Sequence, residues 1–269
     1  MTYCIGIMLR QGLIMIADTR TNAGIDNIST YRKLHVLAET DERFCVVASA
    51  GNLSVTQLVL GMLAEGLPPM GSDDAPRKIE HMPTMFRVAQ LIGEAVMAAG
   101  RQLKPALHAA GISSGISLLL GGRIGTGPCQ LFLIYDAGNF IECQPDSPFY
   151  QIGATQYGKP ILDRAMNYDS TIDEAVKVGL LSFDSTIRSD KSVDLPLDLM
   201  VIRSDASLPV IKRRIEVDDP YMRNLSSRWS VVLNEGRAAI PDPPFLAHEK
   251  GTHEGDSVVA RTSAGQNLS

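Results

Sequence analysis

Apolar residues in this chain repeat with two periods, and the two kinds of stretch come in blocks rather than alternating one for one. Four short strand-like runs come first: Thr2–Leu9, Leu13–Ala17, Tyr31–Leu37 and Phe44–Ala48. Gly12 suits a tight hairpin between the first two. After Gly51 the period becomes 3.6. A capping-box pattern, Ser54-Val55-Thr56-Gln57, predicts a helix through Leu58, Leu60 and Leu63, closed by Gly66. A second helix is expected from near Thr84, with Val88, Leu91, Ile92, Ala95, Val96 and Ala99 on one stripe, stopping before Pro105. Strands return at 116–120, 130–135 and 139–143. Helices follow at 157–166 and, behind the capping box Thr171-Ile172-Asp173-Glu174, up to Ile187. Strands at 197–202 and 208–215 precede an amphipathic helix opening at Asp219-Pro220. Strand blocks segregated from helix blocks argue for α+β layers rather than βαβ units. Two antiparallel sheets between helix pairs would bury every apolar face. Residues 1–240 read as one domain, and the polar stretch 241–269 as a mobile tail.

The 45% hydrophobic and 20% charged composition is that of an ordinary globular chain. A net charge of −5 argues against a general nucleic-acid or anionic-membrane binder. No apolar run approaches the ~20 residues of a membrane span. No basic region followed by an apolar core opens the chain, so no signal peptide is expected and the cytoplasm is the expected compartment. Cys4, Cys45, Cys129 and Cys143 form no CxxC pair and read as reduced interior residues. The five histidines form no metal-ligand pattern, and no cofactor is expected. The glycines of 121–127 lead into no helix and end in no GKS or GKT, so they read as a hairpin rather than a phosphate loop.

Thr2 is the residue with the most chemistry attached to it. With Met1 removed, it carries a free α-amine beside its own hydroxyl, a recognised way to activate a nucleophile. An unperturbed α-amine titrates near pH ~7.7–8.0, so much of it is neutral under cellular conditions. Each of the first three strands delivers one group: the Thr2 hydroxyl and amine, the Asp18 carboxylate and the Lys33 ammonium. The fourth runs into Gly51. Singly, Asp18 and Lys33 would read as surface charges at strand ends, worth ~0–1 kcal/mol as a pair.

Thr2, Asp18-Thr19-Arg20, Lys33 and Ala50-Gly51, in this order and spacing, resemble the N-terminal-threonine hydrolases of the proteasome β-subunit family. The words Ala17-Asp18-Thr19-Arg20-Thr21-Asn22-Ala23-Gly24 and Ser182-Phe183-Asp184-Ser185-Thr186 look like its bacterial ancestral branch, Anbu. The resemblance covers roughly residues 2–240. It implies the four-layer αββα sandwich of N-terminal-nucleophile hydrolases and threonine-dependent amide hydrolysis. Thr2 would attack, its amine would relay the proton, Lys33 would favour the alkoxide, and Asp18 would hold Lys33 charged. A backbone N–H at Gly51 would face the oxyanion, a donor worth ~2.7–4 kcal/mol.

By family position Thr21, Tyr31, Ser49 and Leu53 would wall a small, uncharged substrate pocket, although the Asp18-to-Lys33 spacing is one residue shorter than usual. Asp190 matches a supporting aspartate of the family, or simply terminates a helix. The family's accessory serines fall at Ala154 or Thr155, and at Ser192 or Val193. Two rival readings stand beside a peptidase: a little-active assembly subunit, and a small-molecule amidohydrolase. A homo-oligomer of many subunits, ring or open spiral, is expected. Its surface would come from Val88, Leu91 and Ile92 and from Tyr221, Leu225 and Trp229, unless these cap the chain's own core. No regulatory ATPase is specified.

Overall fold

The computed structural model describes residues 2–22, 28–69 and 75–246. The tail expected over 241–269 lies outside them from residue 247 onward. Residues up to Ser226 form the body, and a second unit begins at Ser227.

The chain opens with the hairpin β1 (Tyr3–Leu9) and β2 (Gly12–Asp18). A short pair follows, β3 (Arg20–Asn22) with β4 (Ile28–Thr30). It was not expected from the sequence, because three-residue strands carry too little periodicity. Next come β5 (Leu34–Thr40), β6 (Arg43–Gly51), α1 (Leu53–Glu65) and α2 (Met85–Ala109). Then follow β7 (Ile116–Ile124), β8 (Gln130–Ile134), β9 (Phe140–Glu142), β10 (Phe149–Gly153), α3 (Thr155–Ala165) and α4 (Ile172–Ser189). Strands β11 (Leu197–Arg203) and β12 (Ile211–Ile215) and helix α5 (Pro220–Ala239) close the order.

Two five-stranded antiparallel sheets result, ordered β10-β1-β2-β11-β12 and β5-β6-β7-β8-β9. Strand alternation sends residues to opposite faces. Ile5, Ile7, Ile14 and Ile16 thus meet α3 and α4, while Cys4, Met8, Leu13 and Met15 meet Phe44, Val46 and Leu119 of the other sheet. The outer face of the second sheet packs Val47, Leu118 and Leu120 against Val55, Val88, Leu91 and Ile92 of α1 and α2. Among the described residues no helix is long and apolar enough to cross a membrane.

Several element boundaries differ from expectation. Helix α1 starts at Leu53 because Asn52, not Ser54, caps it: the Asn52 Oδ1 accepts from the Ser54 and Val55 N–H groups at 3.0 and 3.2 Å. Helix α2 continues through Pro105 to Ala109. Both Pro105 and Arg101, whose carbonyl loses its partner there, are exposed to water, and Leu103 and Leu107 hold the last turns on the core. Val88, Leu91 and Ile92 are buried in this core and offer no surface for association. The large exposed hydrophobic residues of α2 are Phe86 and Met97 instead. On α5, Leu225 is buried and Tyr221 exposed. Farther along it Val231, Val232 and Leu233 are exposed. The capping box at Thr171 and Glu174 is present in full.

Helix α2 approaches the β8–β9 turn at Gly93. A Cβ on Gly93 would overlap the Gly138 carbonyl oxygen, and Gly138 has φ +81°. Alanine gains ~1 kcal/mol of helix propensity there, against ~1–3 kcal/mol for forcing backbone apart in a packed core. Gly93→Ala is therefore expected to lower stability by up to about 2 kcal/mol, read as a fall in the urea midpoint at unchanged slope.

Candidate active site

Strand β1 begins one residue after Thr2, and its first residues lie between β2 and β10. The Thr2 carbonyl accepts from the Ala154 N–H at 2.7 Å. The Tyr3 N–H would ordinarily continue the β1–β2 ladder. It donates instead to the Asp18 carboxylate at 3.0 Å. Asp18 ends β2 and is fully buried. The Lys33 ammonium donates to both Asp18 oxygens at 2.8 Å and to the Arg20 carbonyl at 2.6 Å. Three donors on the ammonium thus meet three acceptors.

Lys33 stands just before β5, in the second sheet, and its carbonyl accepts from the Ser49 N–H of β6 at 3.1 Å. The Cys4 thiol donates to the Ser49 carbonyl at 3.7 Å. Thr2, Asp18, Lys33 and Ser49 therefore share one corner where the sheets meet. Gly51 lies two residues beyond Ser49, at the end of β6, exposed and with φ +107°.

The Asp18-Thr19-Arg20 word is used at every position. Thr19 donates its hydroxyl to the Pro196 carbonyl at 2.8 Å and offers its own carbonyl to the Tyr31 N–H at 2.7 Å. The Arg20 guanidinium pairs with Asp194 at 2.7 Å. Burial pushes the Asp18 carboxyl above its ordinary range, while Lys33 and the Tyr3 N–H pull it back. Burial also pushes the thiols of Cys45 and Cys129 up to about 11 and Cys143 up to about 12, and Cys4 higher still. All four are unpaired and buried. Such thiols are poor nucleophiles, which leaves the Thr2 hydroxyl as the nucleophile candidate of this corner.

The remaining expected residues are placed less tightly. Asp190 caps the C-terminus of α4, and its Oδ1 accepts from the Ser192 N–H and hydroxyl at 2.9 and 2.6 Å. Its Oδ2 is buried with no partner in the structure. Asp190 is thus engaged with Ser192 rather than with Asp18 or Lys33, and Val193 sits in the core. Tyr31 accepts from the Gln57 amide at 3.2 Å, which joins the loop before β5 to α1. Ser49 is buried and Leu53 half-buried at the first turn of α1. Thr21 has its backbone in β3, but its side chain lies outside the described residues.

Sequence reasoning overlooked the Ala154 N–H and the Arg20 carbonyl, because backbone groups leave no residue-type signal. Gly153 was legible only as part of a loop. Its φ is +86°, and a Cβ there would overlap the Thr2 carbonyl, so only glycine lets β10 come this close to Thr2.

Neither the scan against protein-family models nor the search of curated proteins gives a match. Solved structures do. A Gly-1 mutant of Anbu from Hyphomicrobium sp. strain MC1 is 40% identical, with TM-score 0.80 over 90% of this chain and 99% of that one. Anbu (ancestral beta-subunit) from Yersinia bercovieri is 39% identical, with TM-score 0.79 over 90% and 98%. A structure described as the helical assembly of the Anbu complex from Pseudomonas aeruginosa is 37% identical, with TM-score 0.81 over 91% and 99%. With identities this high over nine-tenths of its length, and with the corner that its N-terminal words specify, the chain belongs to the Anbu family of ancestral proteasome β-subunits.

Proposed function

We propose that this protein is an N-terminal-threonine amidohydrolase acting on peptides, with Thr2 as nucleophile once Met1 has been removed. The observation that carries the reading is the buried Asp18–Lys33 pair, bonded to the N–H of the residue next to Thr2. The Thr2 amine takes the hydroxyl proton, directly or through water, and returns it to the leaving amine. Lys33 stabilises the alkoxide and Asp18 fixes Lys33. Gly51, with no side chain to obstruct a substrate backbone, faces the oxyanion with its N–H. Asp190 supports the site from the end of α4. Tyr31, Ser49 and Leu53 line a substrate pocket without formal charge. Three apolar clusters, one between the sheets and one under each helix pair, support the four-layer architecture that such hydrolases share.

The protein works in the cytoplasm as a homo-oligomer of many subunits. The helical assembly of the Pseudomonas aeruginosa relative and the exposed apolar residues Tyr221, Val231, Val232 and Leu233 support this. A second reading, an assembly subunit with little turnover, is favoured by Ala154, a buried alanine at one of the two positions, 154 or 155, where the resemblance expects a serine. Labelling of Thr2 by a peptide vinyl sulfone separates the two: stoichiometric modification supports the hydrolase, and none supports the assembly subunit.

Intact-mass measurement of active protein is expected to show Met1 absent. An active preparation that retains it fully would remove the amine from the mechanism. Thr2→Ala is expected to abolish hydrolysis and keep the fold.

Lys33→Ala is expected to lose activity by roughly 10²–10⁴-fold. It also strands a buried carboxylate, at ~3–5 kcal/mol of stability. Adding Asp18→Ala should recover most of that stability and none of the activity. Recovered turnover in the double variant would show that the pair serves the fold alone.

Light scattering at micromolar concentration should give a mass far above the single-chain 29.1 kDa. A value near 29.1 kDa would overturn the assembly reading.

A further inference from the structure

The word Ser182-Phe183-Asp184-Ser185-Thr186 lies on α4, on the helix side of the first sheet, and takes no part in the chemistry above. What it touches is Tyr3. The Tyr3 ring, fully buried, lies against the Phe183 ring at 4.6 Å between centroids, tilted by 51°. Its hydroxyl is 2.5 Å from the Ser182 Oγ and accepts from the Gln151 amide of β10. A Cβ on Gly158 of α3 would overlap both the Tyr3 and the Ser182 hydroxyls, so α3 closes over the pair only because residue 158 is glycine. The Thr186 hydroxyl donates to the Ser182 carbonyl at 2.9 Å. Three elements, β10, α3 and α4, thus converge on one phenol.

Packing alone does not call for that hydroxyl. A phenylalanine would meet Phe183 as well and would bring no polar group into the core. The net worth of such a bond to stability is ~0.5–1.5 kcal/mol. Its distinctive effect is directional: it fixes the outer end of the ring, and through it the backbone of residue 3. Thr2 is one Cα step, ~3.8 Å, away. After Met1 is removed Thr2 is a chain end, restrained from one side only, and chain ends fray unless tied down. Its ties are the Ala154 N–H on its carbonyl, the Asp18 carboxylate on the next N–H, and this phenol.

We propose that Tyr3, held by Ser182 and Gln151, is a positioning residue that keeps the Thr2 hydroxyl and amine in register with Lys33. The inference rests on Thr2 being the nucleophile. Burial pushes the phenol up to about 12, so it remains protonated and acts as a strut rather than as an acid or base.

The test uses full-length Tyr3→Phe, Ser182→Ala and the double variant, labelled at Thr2 with a peptide vinyl sulfone well below their melting midpoints. A misplacement of about 1 Å costs about 10²-fold in rate. Tyr3→Phe is expected to lower the maximal labelling rate by about 10–100-fold at an unchanged half-saturating probe concentration. Ser182→Ala should do the same, and the double variant should be no slower than Tyr3→Phe, as expected of groups acting as one unit. A Tyr3→Phe rate equal to that of the wild type overturns the positioning role alone. So does a rate loss that merely tracks the unfolded fraction. A wild type that is itself not labelled at Thr2 overturns the nucleophile reading and this inference with it.

Discussion

The buried ion pair between Asp18 and Lys33 is the constraint on which the candidate site depends. Asp18 ends a strand of the first sheet, and Lys33 precedes an edge strand of the second. The 2.8 Å contacts between them therefore join the two layers beside the apolar side chains packed between the sheets. Two charges removed from water at this depth are tolerable only when every donor and acceptor is used. Here the ammonium has three acceptors, and the carboxylate also takes the Tyr3 N–H. Removing one partner would leave the other uncompensated, so the chain of contacts from β1 through β2 to β5 holds as a unit.

Around that pair, close approach is managed by glycines at particular points. Gly153 lets β10 reach the Thr2 carbonyl, and Gly158 lets α3 close on Tyr3. The result is a nucleophile candidate at the edge of a close-packed set of neighbours. Thr2 itself is half-buried, while Tyr3, Asp18 and Ala154 beside it are fully buried. A half-buried hydroxyl beside fully buried neighbours is the arrangement that catalysis by preorganisation would require, because little need move when charge develops.

The same frame accounts for where the site departs from the family's pattern. Ala154 contributes its backbone N–H, which the Thr2 carbonyl uses, so this anchor needs no side-chain hydroxyl at residue 154. Val193 fills core volume beside α4. Asp190 keeps Ser192 as its partner. The alterations lie around the end of α4 and the start of α3, away from the pair.

Much was legible in the sequence because it is local. The short apolar run Leu13–Ala17 behind Gly12 specifies a strand, the 3.6-residue stripe of Val88, Ile92 and Ala95 a helix, and Thr171 with Glu174 a cap. Each reports a backbone geometry within a few residues. Thr2, Asp18 and Lys33 could be singled out because their side chains carry the chemistry. The tertiary structure alone decided who meets whom. Asp18 and Lys33 touch because separate sheets stack; Val88 and Leu91 are buried because α2 lies on β7 and β8 rather than on a neighbour. Tyr3 reaches Ser182 across 179 residues of sequence, a pairing that no local period encodes. Backbone anchors such as the Ala154 N–H are the same in every residue type, so only the folded chain, which sets their direction and distance, could reveal them.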